Sequence, residues 1–159
     1  MRSSLLPVLA FGLVLAACDA TPQQPPIEAA EPAGHVVTVA DAWIRLPAVS
    51  GRTASGYFTA EAGAMPETIT NVTSPSPGRV EMHESMSSGG LSSMKEMEVA
   101  PFTADEPLVF EPGGKHLMLF SLDPTVKPGE TLALTFTFSR ARPVTVDAKV
   151  IAAGDPAPE

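Results

Sequence analysis

The chain reads as an all-β protein, an antiparallel β-sandwich, on three observations. From His35 onward no stretch keeps a 3.6-residue apolar period, and several segments alternate apolar and polar residues with period two. Seventeen prolines and twelve glycines beside one tryptophan and one tyrosine favour short elements joined by turns over long helices. Turn signals also recur at the spacing of a sandwich, about 8–12 residues.

Toward the N-terminal end of this region, Val36-Val37-Thr38-Val39, Ala42-Trp43-Ile44-Arg45, Gly56-Tyr57-Phe58-Thr59-Ala60 and Thr68-Ile69-Thr70-Asn71-Val72 are strand candidates. Pro47 with Gly51, Ala64-Met65-Pro66, and Ser74-Pro75-Ser76-Pro77-Gly78 separate them. The clearest strand is Thr131–Phe138, where Leu132, Leu134, Phe136 and Phe138 share one face and small or hydroxyl side chains the other. Val144–Val150 repeats the pattern, with Pro143 tolerated at its start. About seven to nine short strands are expected, in one domain without internal repeats.

At 159 residues the chain is long enough to bury roughly two thirds of its unfolded surface in one core. The single cysteine, Cys18, cannot form an internal disulfide, so packing must hold the fold. The formal net charge is −8, and no basic cluster suits a phosphate backbone, which argues against nucleic acid as a partner. No Ser/His/Asp arrangement or paired acid and base stands out, so the protein is not expected to be an enzyme.

Residues 1–17 have the form of a secretory signal, with Arg2 before the apolar run Leu5–Leu15. That run is too short for a permanent bilayer span. It ends in Leu15-Ala16-Ala17-Cys18, which resembles the bacterial lipobox, with Cys18 as the lipidated first residue of the mature chain. Asp19 resembles an inner-membrane retention signal. Residues 18–34 then read as a Pro-rich, extended tether, residues 35–151 as the sandwich domain and residues 152–159 as a disordered tail. The expected location is the periplasmic face of a bacterial membrane, with the domain a monomer on its lipid.

Two of the three histidines and five of the seven methionines fall between Glu81 and Phe120. Imidazole and thioether without thiolate is a donor set for a soft ion such as Cu(I). In Lys115–Phe120, period two puts His116, Met118 and Phe120 on one face and Leu117 and Leu119 on the other, with His116 and Met118 about 7 Å apart at Cα. In the earlier strand Val80 and Met82 point inward, leaving Glu81, His83 and Ser85 outward. Met86, Met94 and Met97 straddle the Ser87-Ser88-Gly89-Gly90 turn of a hairpin. A methionine such as Met94 on a Ser/Gly-rich segment is poorly explained by packing.

His83, Met94, His116 and Met118 reproduce the spacing H-x10-M-x21-H-x-M. In that spacing the chain resembles the periplasmic PCu(A)C copper chaperones. Asp41–Arg45, Ala54–Phe58, Gly78–His83 and Pro112–Leu119 are also similar to segments of that family, in its order, so that the resemblance spans Val36–Val150. It implies a cupredoxin-like β-sandwich that binds Cu(I) through those four residues and delivers it to periplasmic copper proteins. The implied recipients are the dinuclear copper centre of cytochrome c oxidase subunit two and Sco-type thiol proteins. Where some members carry a methionine after the first histidine this chain has Glu84, and its C-terminus lacks the His/Met-rich tail of others, so a single main site is expected. Met86 and Met97 are secondary metal candidates, and Met82 is expected in the core.

Neutral ligands suit an exchangeable monovalent ion, and ligation by neutral imidazole should weaken as pH falls through the histidine range. Blue-copper electron transfer would need a cysteine thiolate, and Cys18 is committed to the lipobox. Copper sequestration differs from delivery only in the recipient, and a structural β-sandwich lipoprotein without metal is the remaining alternative.

Overall fold

A computed structural model describes residues 35–76, 78–88 and 91–158. The expected signal, Cys18 and tether therefore lie outside the described residues. The strands are β1 (Val37–Arg45), β2 (Ala54–Ala62), β3 (Glu67–Thr73), β4 (Arg79–Ser88), β5 (Leu91–Met97), β6 (Ala100–Phe102), β7 (Leu108–Phe110), β8 (Lys115–Phe120), β9 (Thr131–Phe138) and β10 (Val144–Ile151). No helix occurs among the described residues.

All ten strands belong to one hydrogen-bonded sheet; nine follow the path β5-β4-β8-β2-β1-β10-β9-β3-β6, and β7 lies off it, paired to β2. The fold is all-β, as the alternation requires. It exceeds the expected strand number through β6 and β7, three-residue strands too short to show a period. It is mixed where a purely antiparallel arrangement was expected, because β1 and β10 run parallel, with Trp43 opposite Lys149.

One face of this curled sheet encloses the core. Leu132, Leu134, Phe136 and Phe138 point into it from β9, as their alternation demands, and meet Ile44, Phe58, Leu117 and Leu119. Phe58 sits between Phe110, at 4.4 Å between ring centroids, and Phe136, at 4.6 Å. Gly56 permits β8 to approach β2 closely, since a Cβ there would lie 3.2 Å from both Leu117 Cβ and Leu119 Cδ1.

The candidate strands Val36–Val39 and Ala42–Arg45 are one strand with a bulge. Register with β2 shifts between Ala40, opposite Thr59, and Trp43, opposite Tyr57, while Asp41 adopts φ 52°. The extra residue reverses the alternation. Val39 and Ile44 both reach the core, whereas Trp43 turns to the outer face and packs on Tyr57 at 4.2 Å between ring centroids.

Glu67 opens β3 as a buried carboxylate, 2% exposed. Burial by itself pushes its carboxyl up, but hydrogen bonds from Ser139 Oγ and the Thr68 and Ala141 N–H groups, with His35 nearby, outweigh this and hold it below the ordinary carboxylate range. One side chain thus ties β3 to the β9–β10 connection. Two side-chain hydrogen bonds follow β10. Ala152 N–H donates to Asp155 Oδ2 at 2.9 Å, closing a turn, and Arg45 Nη1 donates to the Ala153 carbonyl at 3.1 Å.

Candidate metal centre

Strands β5, β4 and β8 lie side by side, and their register decides which side chains meet. His83 is directly opposite His116, Glu81 opposite Met118, and Ser85 opposite Met94. Directly opposed residues of an antiparallel pair share a face, and so do residues two apart on one strand. His83, Met94, His116 and Met118 therefore all stand on the outer face of three adjacent strands. The intervening Met82, Leu117 and Leu119 are buried in the core.

The histidines form the centre of this group, with ring centroids 6.1 Å apart and planes inclined by 29°. Met118 flanks the pair on one side, two residues along β8 from His116. Met94 flanks it on the other, diagonal to His83 and so about 7–8 Å away at Cα. Burial grades across the group. His116 is 7% exposed and Met94, on the strand that ends the path, 61%.

Each ring has one nitrogen engaged by the protein. His116 Nδ1 lies 3.1 Å from the Gly114 carbonyl oxygen, which also accepts the Ser85 N–H at 3.2 Å. The tight turn before β8, with Gly113 at φ 86°, presents that carbonyl. His83 Nε2 lies 2.9 Å from Glu81 Oε2, and Arg79 Nε donates to the other carboxylate oxygen at 2.8 Å. His83 Nδ1 is buried with no hydrogen-bond partner. A buried polar atom left in this way calls for an ion or a water. Among the described residues no three His, Cys, Asp or Glu side chains converge as a metal cage, and the soft donors gathered on this face are imidazole nitrogen and thioether sulfur.

Met86 and Met97 are not brought to this face. Both share the side of β4 and β5 that carries Met82, with Met97 directly opposite Met82 and packed against the core. Met86 is exposed beyond the core's edge. Sequence reasoning placed Glu81 beside His83 but gave it no role, although its position two residues away on an outward face is the signal for one. Arg79, which holds Glu81, and the Gly114 carbonyl were missed, because a turn's backbone oxygen has no signature in side-chain identity.

Residues 37–150 match the family model described as "Putative lipoprotein LpqE-like". The chain belongs to this family. A relative of the LpqE-like chain, named putative lipoprotein Lxx21020, from Leifsonia xyli subsp. xyli, is 29% identical over 116 residues, covering 71% of this chain and 69% of its own. Among solved structures, the copper-bound PCuAC domain from PmoF2 aligns with a TM-score of 0.62 at 23% identity, covering 77% of this chain and 97% of that one. Apo-DR1885 from Deinococcus radiodurans aligns with a TM-score of 0.56 at 25% identity, covering 89% and 97%. The described residues of this LpqE-like protein thus have the PCuAC-domain fold, as the family resemblance implies.

Proposed function

We propose that this protein is an extracytoplasmic copper carrier, not an enzyme, that holds one Cu(I) with His83, Met94, His116 and Met118 and passes it to another copper protein. The observation that carries this reading is the convergence of all four on one face of β5-β4-β8, when their alternation could have scattered them between core and solvent. The donor set fits the cargo. Two neutral imidazoles and two thioethers suit a soft monovalent ion and release it without breaking a thiolate bond. The copper-bound PCuAC domain from PmoF2 and CuI-DR1885 are structures of the same fold in which copper is present.

The lipoprotein description of the family and of the Leifsonia relative supports acylation at Cys18, which puts the carrier on the outer side of a bacterial membrane, tethered as a monomer. Asp19 favours the inner membrane there. The recipient we favour is the dinuclear copper centre of cytochrome c oxidase subunit two, directly or beside a Sco-type thiol protein.

Titration of Cu(I) against a chromogenic chelator tests the site. Met94→Ala and His116→Ala should each weaken binding at least tenfold. Parent-like affinity in both variants would sink this ligand assignment.

A further inference from the structure

We propose that the two histidines bind copper through different ring nitrogens, His83 through Nδ1 and His116 through Nε2, and that Glu81, held by Arg79, is the positioning residue that sets the His83 half of this asymmetry. The inference rests on the copper reading above and adds what orients its ligands.

A neutral imidazole carries one N–H and one lone pair, and the partner of one nitrogen decides which is which. The Gly114 carbonyl can only accept, so His116 Nδ1 bears the proton and Nε2 the free lone pair. The other ring is wired the opposite way. Glu81 Oε2 accepts from His83 Nε2 at 2.9 Å, which leaves the lone pair on Nδ1, the buried atom with no partner.

Glu81 is itself fixed. Arg79 Nε donates to Oε1 at 2.8 Å, and the Arg79 guanidinium lies 4.5 Å from the ring centroid of Phe120, the residue directly across from it on β8. The chain Phe120–Arg79–Glu81–His83 thus runs along the site from its Met118 side. Glu81, directly opposite Met118, occupies the Nε2 side of the ring. A carboxylate behind a metal-binding imidazole fixes its orientation and raises its basicity, and removing such a partner typically weakens metal affinity about 10–100-fold. Here it does so without adding an oxygen donor to a site meant for a soft ion.

The test begins without copper. Long-range imidazole 1H–15N spectra of the 15N-labelled apo protein, recorded above the histidine titration range, should show opposite tautomers, Nε2–H for His83 and Nδ1–H for His116. The same tautomer in both rings overturns the proposal. On loading with Cu(I), the His83 Nδ1 resonance should move while its Nε2 proton persists. Movement of Nε2 with loss of that proton also overturns it.

Glu81→Leu should leave His83 a mixture of tautomers and weaken Cu(I) binding about tenfold or more. Glu81→Gln, whose amide oxygen still accepts from Nε2–H, should restore the tautomer and most of the affinity. A Leu variant that keeps both wild-type tautomer and wild-type affinity removes Glu81 from the role. Because the wild-type tautomers are read in apo protein, opposite tautomers without Cu(I) binding would indict the copper reading, whereas matched tautomers with tight binding would indict only this inference.

Discussion

His83 and His116 face each other in register across β4 and β8, so the backbone ladder itself sets the distance between the two imidazoles. Long side chains are left to complete the site. Each methionine stands two residues along the strands from this pair, on opposite sides of it. The histidines are therefore the rigid part of the site and the thioethers its adjustable part.

Met118 and Met82 separate ligation from packing. Met118 is half-buried on the outer face, and Met118→Leu should weaken Cu(I) binding about tenfold while leaving the thermal midpoint within a few degrees. Met82 is 5% exposed in the core, and Met82→Leu should cost less than about 1.5 kcal/mol and leave the affinity unchanged. Chelator competition and thermal unfolding on the two variants read both quantities.

Met97 is expected to behave as a structural residue. It packs against the core opposite Met82, so Met97→Ala should lower stability by about 1–2 kcal/mol in denaturant titration, with Cu(I) affinity within twofold of the parent. A tenfold fall in affinity would return Met97 to the ligand set.

Glu67 should give the protein an acid-sensitive stability. Its folded carboxyl is held below the ordinary range, so it contributes stability that is fully present above that range and lost as pH falls through the lower, folded value. Glu67→Gln should cost about 1–3 kcal/mol near neutrality. Across the acid window its stability curve should be flatter than the parent's, and chemical denaturation repeated over pH 3–7 (roughly the carboxylate range) compares them.

Gly56→Ala tests how β8 is seated. The added methyl meets Leu117 and Leu119 at 3.2 Å, tighter than ordinary contact, so β8 must shift from β2. A loss of about 1–3 kcal/mol is expected. Because β8 carries His116 and Met118, Cu(I) affinity should fall in parallel.

The core and most of the site were legible because period two is a strong constraint. Leu132, Leu134, Phe136 and Phe138 could share a face only in a strand, and the same rule put His116 with Met118 and left Met82 inside. What sequence could not supply was pairing between strands. The opposition of His83 to His116 depends on which strands are neighbours, and the parallel contact of β1 with β10 joins the two ends of the folded region. The bulge at Asp41 was hidden for a different reason. A one-residue register shift looks like a gap between two short strands, and Trp43, which alternation alone would not turn outward, depends on it. Met86 and Met97 were grouped with the ligands by proximity along the chain, and parity on the paired strands separates them.

The place of Met94 on β5 bears on how the cargo leaves. β5 is paired on one side only, to β4. On the copper reading proposed above, a thioether on this strand would be free to leave the ion without disturbing the ladder that holds the imidazoles. An incoming sulfur donor would then find a position to occupy while the remaining ligands kept hold of the copper. Hand-over would proceed by single-ligand substitutions, its speed governed by the looseness of one edge strand separately from the tightness of the site.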